Sequence, residues 1–280
     1  MNKEIFYTKK NINDISIAIL SDIHYYTEYN VKIFNNLIKQ LNTNKPNYIT
    51  IVGDILDSSN ITNMNSLKEF LNKIVKIAPT IVVLGNHDEK TGYMHHWSYK
   101  KNQELISLLN SIDNLYLLDD SNKTFNNINF YGFNLSYKYY EENKETYDSF
   151  CQEISNLNCN ILPELYNITL IHTPINIYKY IKNNPNHQLN NSDLILSGHM
   201  HNGCLPFILS YPLNKLFHTT RGILSPIRKF FPKYSHGRVY ERDGYIYQGI
   251  TKLSHSTKLL HKLDFLFKKK IEFIHIKKRS

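Results

Sequence analysis

Five short fragments of this 280-residue chain contain side chains that bind metals or move protons. In chain order they are Asp22-Ile23-His24, Gly53-Asp54, Gly85-Asn86-His87-Asp88, Ile171-His172-Thr173-Pro174 and Gly198-His199-Met200-His201. Carboxylate, amide and neutral imidazole groups together suit borderline metals such as Mn, Fe or Zn better than Ca. The fragments therefore predict ligands for two divalent metal ions.

The spacing within one fragment supports a shared site. Asp22 and His24 are two residues apart at the end of an apolar run, and alternate residues of a strand point to the same face. His199 and His201 repeat this spacing. An Asp near a His is more often an ordinary hydrogen-bonded pair, so the prediction depends on all five fragments occurring in one chain.

Two fragments carry further chemistry beside a glycine. Gly53 lets the backbone turn sharply, so Asp54 could bridge two cations. The competing interpretation is that Asp54 caps the next turn. In the third fragment, Asn86 offers an amide oxygen, His87 offers an imidazole that can donate a proton, and Asp88 could orient that imidazole.

The elements that would position these fragments alternate between strand and helix. Short apolar runs predict buried strands at 15–20, 48–52, 80–84, 115–118, 128–133, 168–171, 194–196 and 271–276. Helical spacing predicts helices over 31–41, 66–77, 103–109 and 139–157, and a hairpin joins 238–241 to 245–248. This order is typical of an α/β fold, in which ligands bind beyond the carboxyl ends of the strands.

The five fragments match a family pattern in the same order. They read D-x-H, G-D, G-N-H-[DE], a lone H and G-H-x-H, and in this they resemble the calcineurin-like metallophosphoesterases. The resemblance is clear over 15–202 and weaker beyond. It implies a four-layer α/β/β/α sandwich of two mixed sheets with flanking helices. It also implies two divalent metal ions (Mn, Fe or Zn) that activate hydroxide to attack a phosphomonoester or phosphodiester.

The resemblance implies a role for each matched residue. The ligands would be Asp22, His24 and His201 for the first metal, Asn86, His172 and His199 for the second, and Asp54 as the bridge. His87 would protonate the leaving oxygen or stabilise its charge, with Asp88 as its catalytic partner.

The segment that follows the last motif resembles one bacterial subgroup of single-domain phosphohydrolases. There the motif runs on as G-H-T-H-G-G-Q. Here Gly203 agrees, whereas Asn202 and Cys204 differ. The differences fall outside the ligands, but they weaken any transfer of that subgroup's substrates to this chain.

Charge is distributed unevenly along the chain, whose net charge is +9. Residues 1–202 contain 17 Lys or Arg and 20 Asp or Glu, whereas residues 203–280 contain 16 and 4. The expected partner is a phosphorylated anionic substrate, for which Arg221, Arg228 and Arg238 are candidate ligands. A solvated Lys-rich surface would explain this charge distribution as well. The stretch 259–270 also fits a peripheral contact with an anionic membrane, although a covering helix that leads to the last strand is the favoured interpretation.

Composition sets the expected organisation. The chain has no internal repeat or linker, no run of about 18 apolar residues, and no apolar leader in residues 1–13. Its three cysteines lack C-x-x-C spacing. We expect one cytoplasmic domain over 1–280, with 203–235 as a flap or insertion.

Two alternatives stay open. A metal-dependent nuclease would use the basic last third for phosphate contacts, although no nucleic-acid-binding motif is recognisable. A catalytically silent protein-binding scaffold of the same fold would not need a complete ligand set. All seven predicted ligands and His87 are present, which favours an active phosphatase or phosphodiesterase.

Overall fold

The computed structural model describes residues 4–25, 31–56, 63–91, 98–99, 102–134, 144–157, 159, 161–174, 176–200, 237–239, 243–246 and 271–279. The strands within these ranges are β1 Glu4–Thr8, β2 Ile15–Leu20, β3 Tyr48–Val52, β4 Thr80–Val83, β5 Lys90–Thr91, β6 Ser98–Tyr99, β7 Leu115–Leu117, β8 Ser121–Phe125, β9 Ile128–Gly132, β10 Tyr166–Leu170, β11 Leu194–Ser197, β12 Gly237–Val239, β13 Gly244–Ile246 and β14 Glu272–Lys278. The helices are α1 Val31–Asn44, α2 Met64–Val75, α3 Gln103–Asn110, α4 Lys144–Asn156 and α5 Ile177–Asn183.

The strands form two six-stranded sheets and a small ribbon of β5 and β6. Sheet 1 has the order β1-β14-β2-β3-β4-β7, and sheet 2 has the order β12-β13-β11-β10-β9-β8. In sheet 1 only the β14–β2 pair is antiparallel, and in sheet 2 the β8–β9 and β12–β13 pairs are antiparallel. Both sheets are therefore mixed, as the sequence predicts.

Alternating side chains give sheet 2 two apolar faces. Ile168 and Leu170 of β10 belong to the main core, together with Tyr48 of sheet 1. The next residue along, Ile171, instead belongs to a second cluster with Phe150 of α4 and Tyr180 of α5. Because neighbouring residues of a strand point to opposite faces, sheet 2 lies between sheet 1 and the α4–α5 layer.

Amphipathic helices cover the other sheet. Helices α1, α2 and α3 bury Leu37, Leu67, Phe70 and Leu105 in the main core. Asn63 begins α2, because its side chain accepts a hydrogen bond from the Ser66 amide and so satisfies a free donor of the first turn. The layers confirm the predicted α/β/β/α sandwich.

Several predicted features lie outside the described residues. These are the flap at 203–235, the basic stretch 259–270 and the first residues of the helix predicted from 139. Among the helices that the structure describes, none has the length and apolarity needed to cross a membrane.

Candidate metal centre

Five strands end at one rim of the sandwich, and each is followed by a predicted ligand. The strands are β2, β3 and β4 of sheet 1 and β10 and β11 of sheet 2. The described ligands that follow them are Asp22, His24, Asp54, Asn86, His172 and His199. The seventh predicted ligand, His201, lies outside the described residues.

The backbone is left-handed at four of these ligands. The φ angle is 52° at Asp22, 42° at His24, 53° at Asp54 and 67° at His199. An L residue in this region costs roughly 1–2 kcal/mol, and such residues cluster at functional sites. The fold therefore holds these positions in a conformation that local preference disfavours.

Asp54 lies at the centre of the cluster and is only 1% exposed. Its Oδ2 atom lies 3.2 Å from His172 Nε2 and 3.7 Å from His24 Nε2. Its Oδ1 atom accepts a hydrogen bond from the His87 amide at 2.8 Å. Burial opposes ionisation of Asp54, but the charges of His172, His87 and His24 outweigh it and hold the pKa of this carboxyl well below its usual range.

Two groups of candidate ligands share Asp54. His24, Asp54 and His87 present ligand atoms that all lie within 4.8 Å of one another, and so do Asp54, His172 and His199. A carboxylate common to two groups is the arrangement expected of a bridge between two cations. The first group contains His87, for which the sequence predicts a role in proton transfer.

The His172 ring is oriented by the main chain. Its Nδ1 atom lies 2.6 Å from the Val52 carbonyl oxygen, to which it donates. That hydrogen bond leaves Nε2 as the ligand atom that faces Asp54. Burial disfavours the charged ring, but Asp54, Asp22 and the Val52 carbonyl oppose burial and raise the pKa of His172 to about 9.

A glycine makes room for this ring. A Cβ atom at position 53 would lie 2.4 Å from His172 Nδ1, and Gly53 itself has φ of 80°. Any side chain here would meet both steric overlap and backbone strain. Gly53 therefore leaves room for the His172 ring and also allows the turn that leads into Asp54.

Hydrogen bonds join the two sheets at the rim. The His199 amide of sheet 2 donates to Asp22 Oδ2 of sheet 1 at 3.1 Å. The Asp22 amide donates to the Gly53 carbonyl at 3.0 Å, and the Gly198 amide donates to the His172 carbonyl at 2.8 Å. The first of these bonds joins the two sheets, and the other two join neighbouring loops within each sheet.

Asn86 provides a test of whether a metal fits. The side chain is 8% exposed, and its buried Oδ1 atom accepts no hydrogen bond within the described part of the chain. Buried polar atoms nearly always have a partner, and an amide oxygen is a suitable metal ligand. Together with the carboxylates and imidazoles of the two groups, the Asn86 oxygen would give a donor set of the kind that fits divalent metals.

His87 is less buried than Asp54 and His172 beside it. It is half-buried, and its ring packs edge-on against His24 with 4.6 Å between centroids. A partly exposed imidazole beside the ligands can meet a bound substrate. This placement agrees with the proton-donor role that the resemblance implies, which stays a prediction.

The described hydrogen bonds of Asp88 are to main-chain amides, and its role in orienting the His87 ring stays a prediction. Its buried carboxylate accepts hydrogen bonds from the main-chain amides of Ile55, Leu56 and Gly85, and the described hydrogen bonds include none to the His87 ring. Burial, followed by the charge of Asp54, raises the pKa of Asp88 to about 7 against the effect of the three amides. The three amides donate to both carboxylate oxygens of Asp88, so this side chain is bonded to the main chain of the loops that carry Asp54 and Asn86.

The comparison with known families agrees with the geometry. A family model described as calcineurin-like phosphoesterase matches residues 15–203, which is more than half of the chain. The chain belongs to this family.

Individual relatives are distant. The calcineurin-like chain is 26% identical over 208 residues to the uncharacterized metallophosphoesterase Cj0846 of Campylobacter jejuni, a match that covers 73% of this chain and 49% of the relative. It therefore spans about half the length of this curated relative. Among solved structures it is similar to GAP50, the anchor in the inner membrane complex of Plasmodium, with a TM-score of 0.39 and 13% identity over 67% of this chain and 66% of the other. A second solved chain gives a TM-score of 0.43 and 13% identity over 66% and 84%.

The arginines predicted to bind substrate lie elsewhere or outside the described residues. Arg238 donates to Asp243 Oδ1 and to the Ile5 carbonyl, both at 3.0 Å, and its guanidinium lies 4.3 Å from the Phe6 ring centroid. These contacts join the edge strands β12 and β1. Arg221 and Arg228 lie outside the described residues, and a substrate role for any of the three stays a prediction.

Two groups that support the site have little or no sequence signal. The Val52 carbonyl accepts from both His172 Nδ1 and Ser21 Oγ at 2.6 Å, and a carbonyl is present at every residue. Ser21 has a weak signal, because it is a polar residue directly between an apolar strand and Asp22. Its hydroxyl donates to the same carbonyl that orients His172.

A cleft of about 550 Å³ lies at the other end of the strands. It is lined at the starts of the strands by Ile15, Tyr48 and Pro79, and elsewhere mainly by asparagines. Asp14 is the one carboxylate among its lining residues. This cleft contains no cluster of ionisable side chains, so the rim remains the candidate site.

Proposed function

We propose that the protein is a di-metal phosphohydrolase that cleaves a phosphomonoester or a phosphodiester. The observation that carries the proposal is the position of Asp54 in both groups of ligand atoms. Membership of the calcineurin-like phosphoesterase family supports the same class of reaction. The chain spans about half the length of its curated relative. The class of substrate is therefore also part of this proposal.

In this proposal, most residues of the cluster bind the metals and others orient those ligands. Asp22, His24, Asp54, Asn86, His172 and His199 would hold the metals, together with His201. When bound, two divalent metals supply positive charge for the phosphate oxygens and an activated water. The Val52 carbonyl keeps the His172 proton on Nδ1 and so leaves Nε2 available as a ligand.

His87 supplies the proton in this proposal. Its amide donates to Asp54 Oδ1 at 2.8 Å, and the residue is half-buried beside His24. A general acid must reach the leaving oxygen while the metals hold the phosphate. A partly exposed imidazole next to the candidate ligands meets that requirement, and we assign it protonation of the leaving group.

Hydrolysis of aryl phosphates tests the proposal. The protein is stripped with a chelator, supplied with Mn, Fe or Zn, and assayed on a generic aryl phosphomonoester and aryl phosphodiester. We expect metal-stimulated release of the phenol. Asp54→Asn should lower the rate at least about 100-fold by removing the shared ligand, and His87→Ala should lower it by about 100-fold.

A matched control separates chemistry from charge. Asp148 is exposed on α4, so Asp148→Asn makes the same change away from the rim and should keep the wild-type rate. Absence of hydrolysis with all three metals, with no metal bound, would favour the silent scaffold. Rapid cleavage of oligonucleotides without cleavage of small esters would favour the nuclease.

A further inference from the structure

Asp88 joins two loops that carry different ligands. Its Oδ1 atom accepts from the Leu56 amide at 2.8 Å. Its Oδ2 atom accepts from the Gly85 amide at 2.9 Å and the Ile55 amide at 3.2 Å. The side chain is 0% exposed, so these three amides replace the water that the carboxylate loses on folding.

The same two loops are joined in the opposite direction by Asp54. The His87 amide of the second loop donates to Asp54 Oδ1 at 2.8 Å. Each loop therefore contributes one buried carboxylate that accepts a main-chain amide of the other loop. We call this reciprocal arrangement of Asp54 and Asp88 the carboxylate clasp.

A carboxylate is the group that this position requires. Three amide donors converge on Asp88, and an ionised carboxyl has two acceptor oxygens and no donor. An asparagine would keep one oxygen and turn its NH₂ group against at least one backbone N–H. A glutamate keeps both oxygens on a longer stem, and the family pattern G-N-H-[DE] accepts either acid.

We propose that Asp88 is a positioning residue that holds the Asp54 loop against the Asn86 loop, so that both can bind one pair of metals. The inference rests on the proposed function for the presence of that pair. Asp88 touches neither metal nor substrate in this role. Its effect passes through the main chain of Ile55, Leu56 and Gly85.

Metal binding to Asp88→Asn tests the role directly. Wild-type protein and variant are titrated with Mn(II), and bound metal and the exchange-coupled dimanganese electron paramagnetic resonance signal are measured. We expect two bound Mn(II) in the wild type, at least tenfold weaker binding of one of them in Asp88→Asn, and loss of the coupled signal. Asp88→Glu should bind both within about threefold of wild type.

A second variant controls for general instability. Asn102 begins α3 by accepting from the Leu105 amide at 3.1 Å and belongs to neither loop of the clasp. Asn102→Ala should lower the melting temperature and keep both Mn(II) ions with their coupled signal. Equal loss of metal in Asn102→Ala would overturn the positioning role, and so would an unchanged coupled signal in Asp88→Asn.

Hydrogen exchange in the wild-type protein tests the clasp without any substitution. The amides of Ile55, Leu56 and Gly85 should exchange slowly in the metal-free protein, because each is bonded to the buried carboxylate. Fast exchange at all three would overturn the clasp even if Asp88→Asn does not fold. A wild type that binds none of Mn, Fe and Zn would overturn the proposed function. If the wild type and Asp88→Asn both bind two Mn(II) with equal affinity, only the clasp is overturned.

Discussion

At the scale of single residues, the site depends on side chains held against their local preference. Asp54 and His172 are both buried, and their facing atoms lie 3.2 Å apart. His172 could not keep this position if Gly53 had a side chain. The packing around His172 is therefore a point at which one methyl group should matter.

Gly53→Ala should impair metal binding and stability together. The new Cβ would lie 2.4 Å from His172 Nδ1 and would adopt φ of 80°. We expect weaker Mn(II) binding, measured by calorimetry, and a lower free energy of unfolding, measured by denaturant titration. The backbone strain contributes about 1–2 kcal/mol of that loss, and displacement of the ring adds to it.

Gly237 provides a control, because its φ angle is close to that of Gly53 and an added Cβ would contact none of the described residues. Its φ is 79°, and a Cβ there would meet nothing within 4 Å among the described residues. Gly237→Ala should therefore show the strain alone and keep wild-type metal binding. If both variants bind Mn(II) like the wild type, the packing of His172 against position 53 has no part in the site.

At the scale of elements, the site forms where strands of two sheets end side by side. Gly198, which follows β11, lies very close to Ser21, which follows β2. A Cβ at position 198 would lie 2.7 Å from the Ser21 Cβ, closer than real Cβ atoms approach, and 2.8 Å from Asp22 Oδ2. The two sheets can therefore meet at this rim only without a side chain there.

Gly198→Ala should push the sheets apart at the rim. We expect a melting temperature lower than that of the wild type and loss of tight Mn(II) binding, because the overlap falls on Ser21 and on the ligand Asp22. Adding Ser21→Gly removes most of the overlap and should restore part of both. A double variant no better than Gly198→Ala would show that the overlap is not the cause, since coupled neighbours should be non-additive.

The sequence predicts most of the elements, and the missed ones lack the patterns on which the prediction depends. The predicted strands at 15–20 and 48–52 match β2 and β3, because buried parallel strands are continuous apolar runs. Strands β1 and β8 lie at sheet edges and mix polar with apolar residues, so they show no such run. Helix α5 is short and follows Asn176 in a left-handed conformation, which no periodicity predicts.

At the scale of the whole molecule, a metal pair would join the two sheets. The described ligands come from loops of sheet 1 and from loops of sheet 2, and the main core lies between these sheets. Metals bound by both sets of ligands favour the folded state, since the unfolded chain cannot assemble the site. Stability should therefore depend on metal.

Removal of metal should lower the melting temperature. At a free metal concentration of about 100 times the Kd, each site adds about 2.7 kcal/mol, which for a chain of this size corresponds to roughly 5 °C or more. Calorimetry in Mn(II) and in chelator measures the difference. Asp54→Asn should lose most of the shift, and equal melting temperatures for wild type in both buffers would contradict a metal pair between the sheets.

The sequence by itself determined the family, the α/β class and the ligand types, because these follow from local runs and short motifs. It did not determine that Asp88 holds main-chain amides, that Val52 orients His172, or that Gly198 lets the sheets meet. Apart from the bond to the Gly85 amide, these contacts join residues 32 to 177 positions apart, and a carbonyl or an amide looks the same at every position of a sequence. Only the packing of one sheet against the other determined which carbonyl and amide groups contact the site.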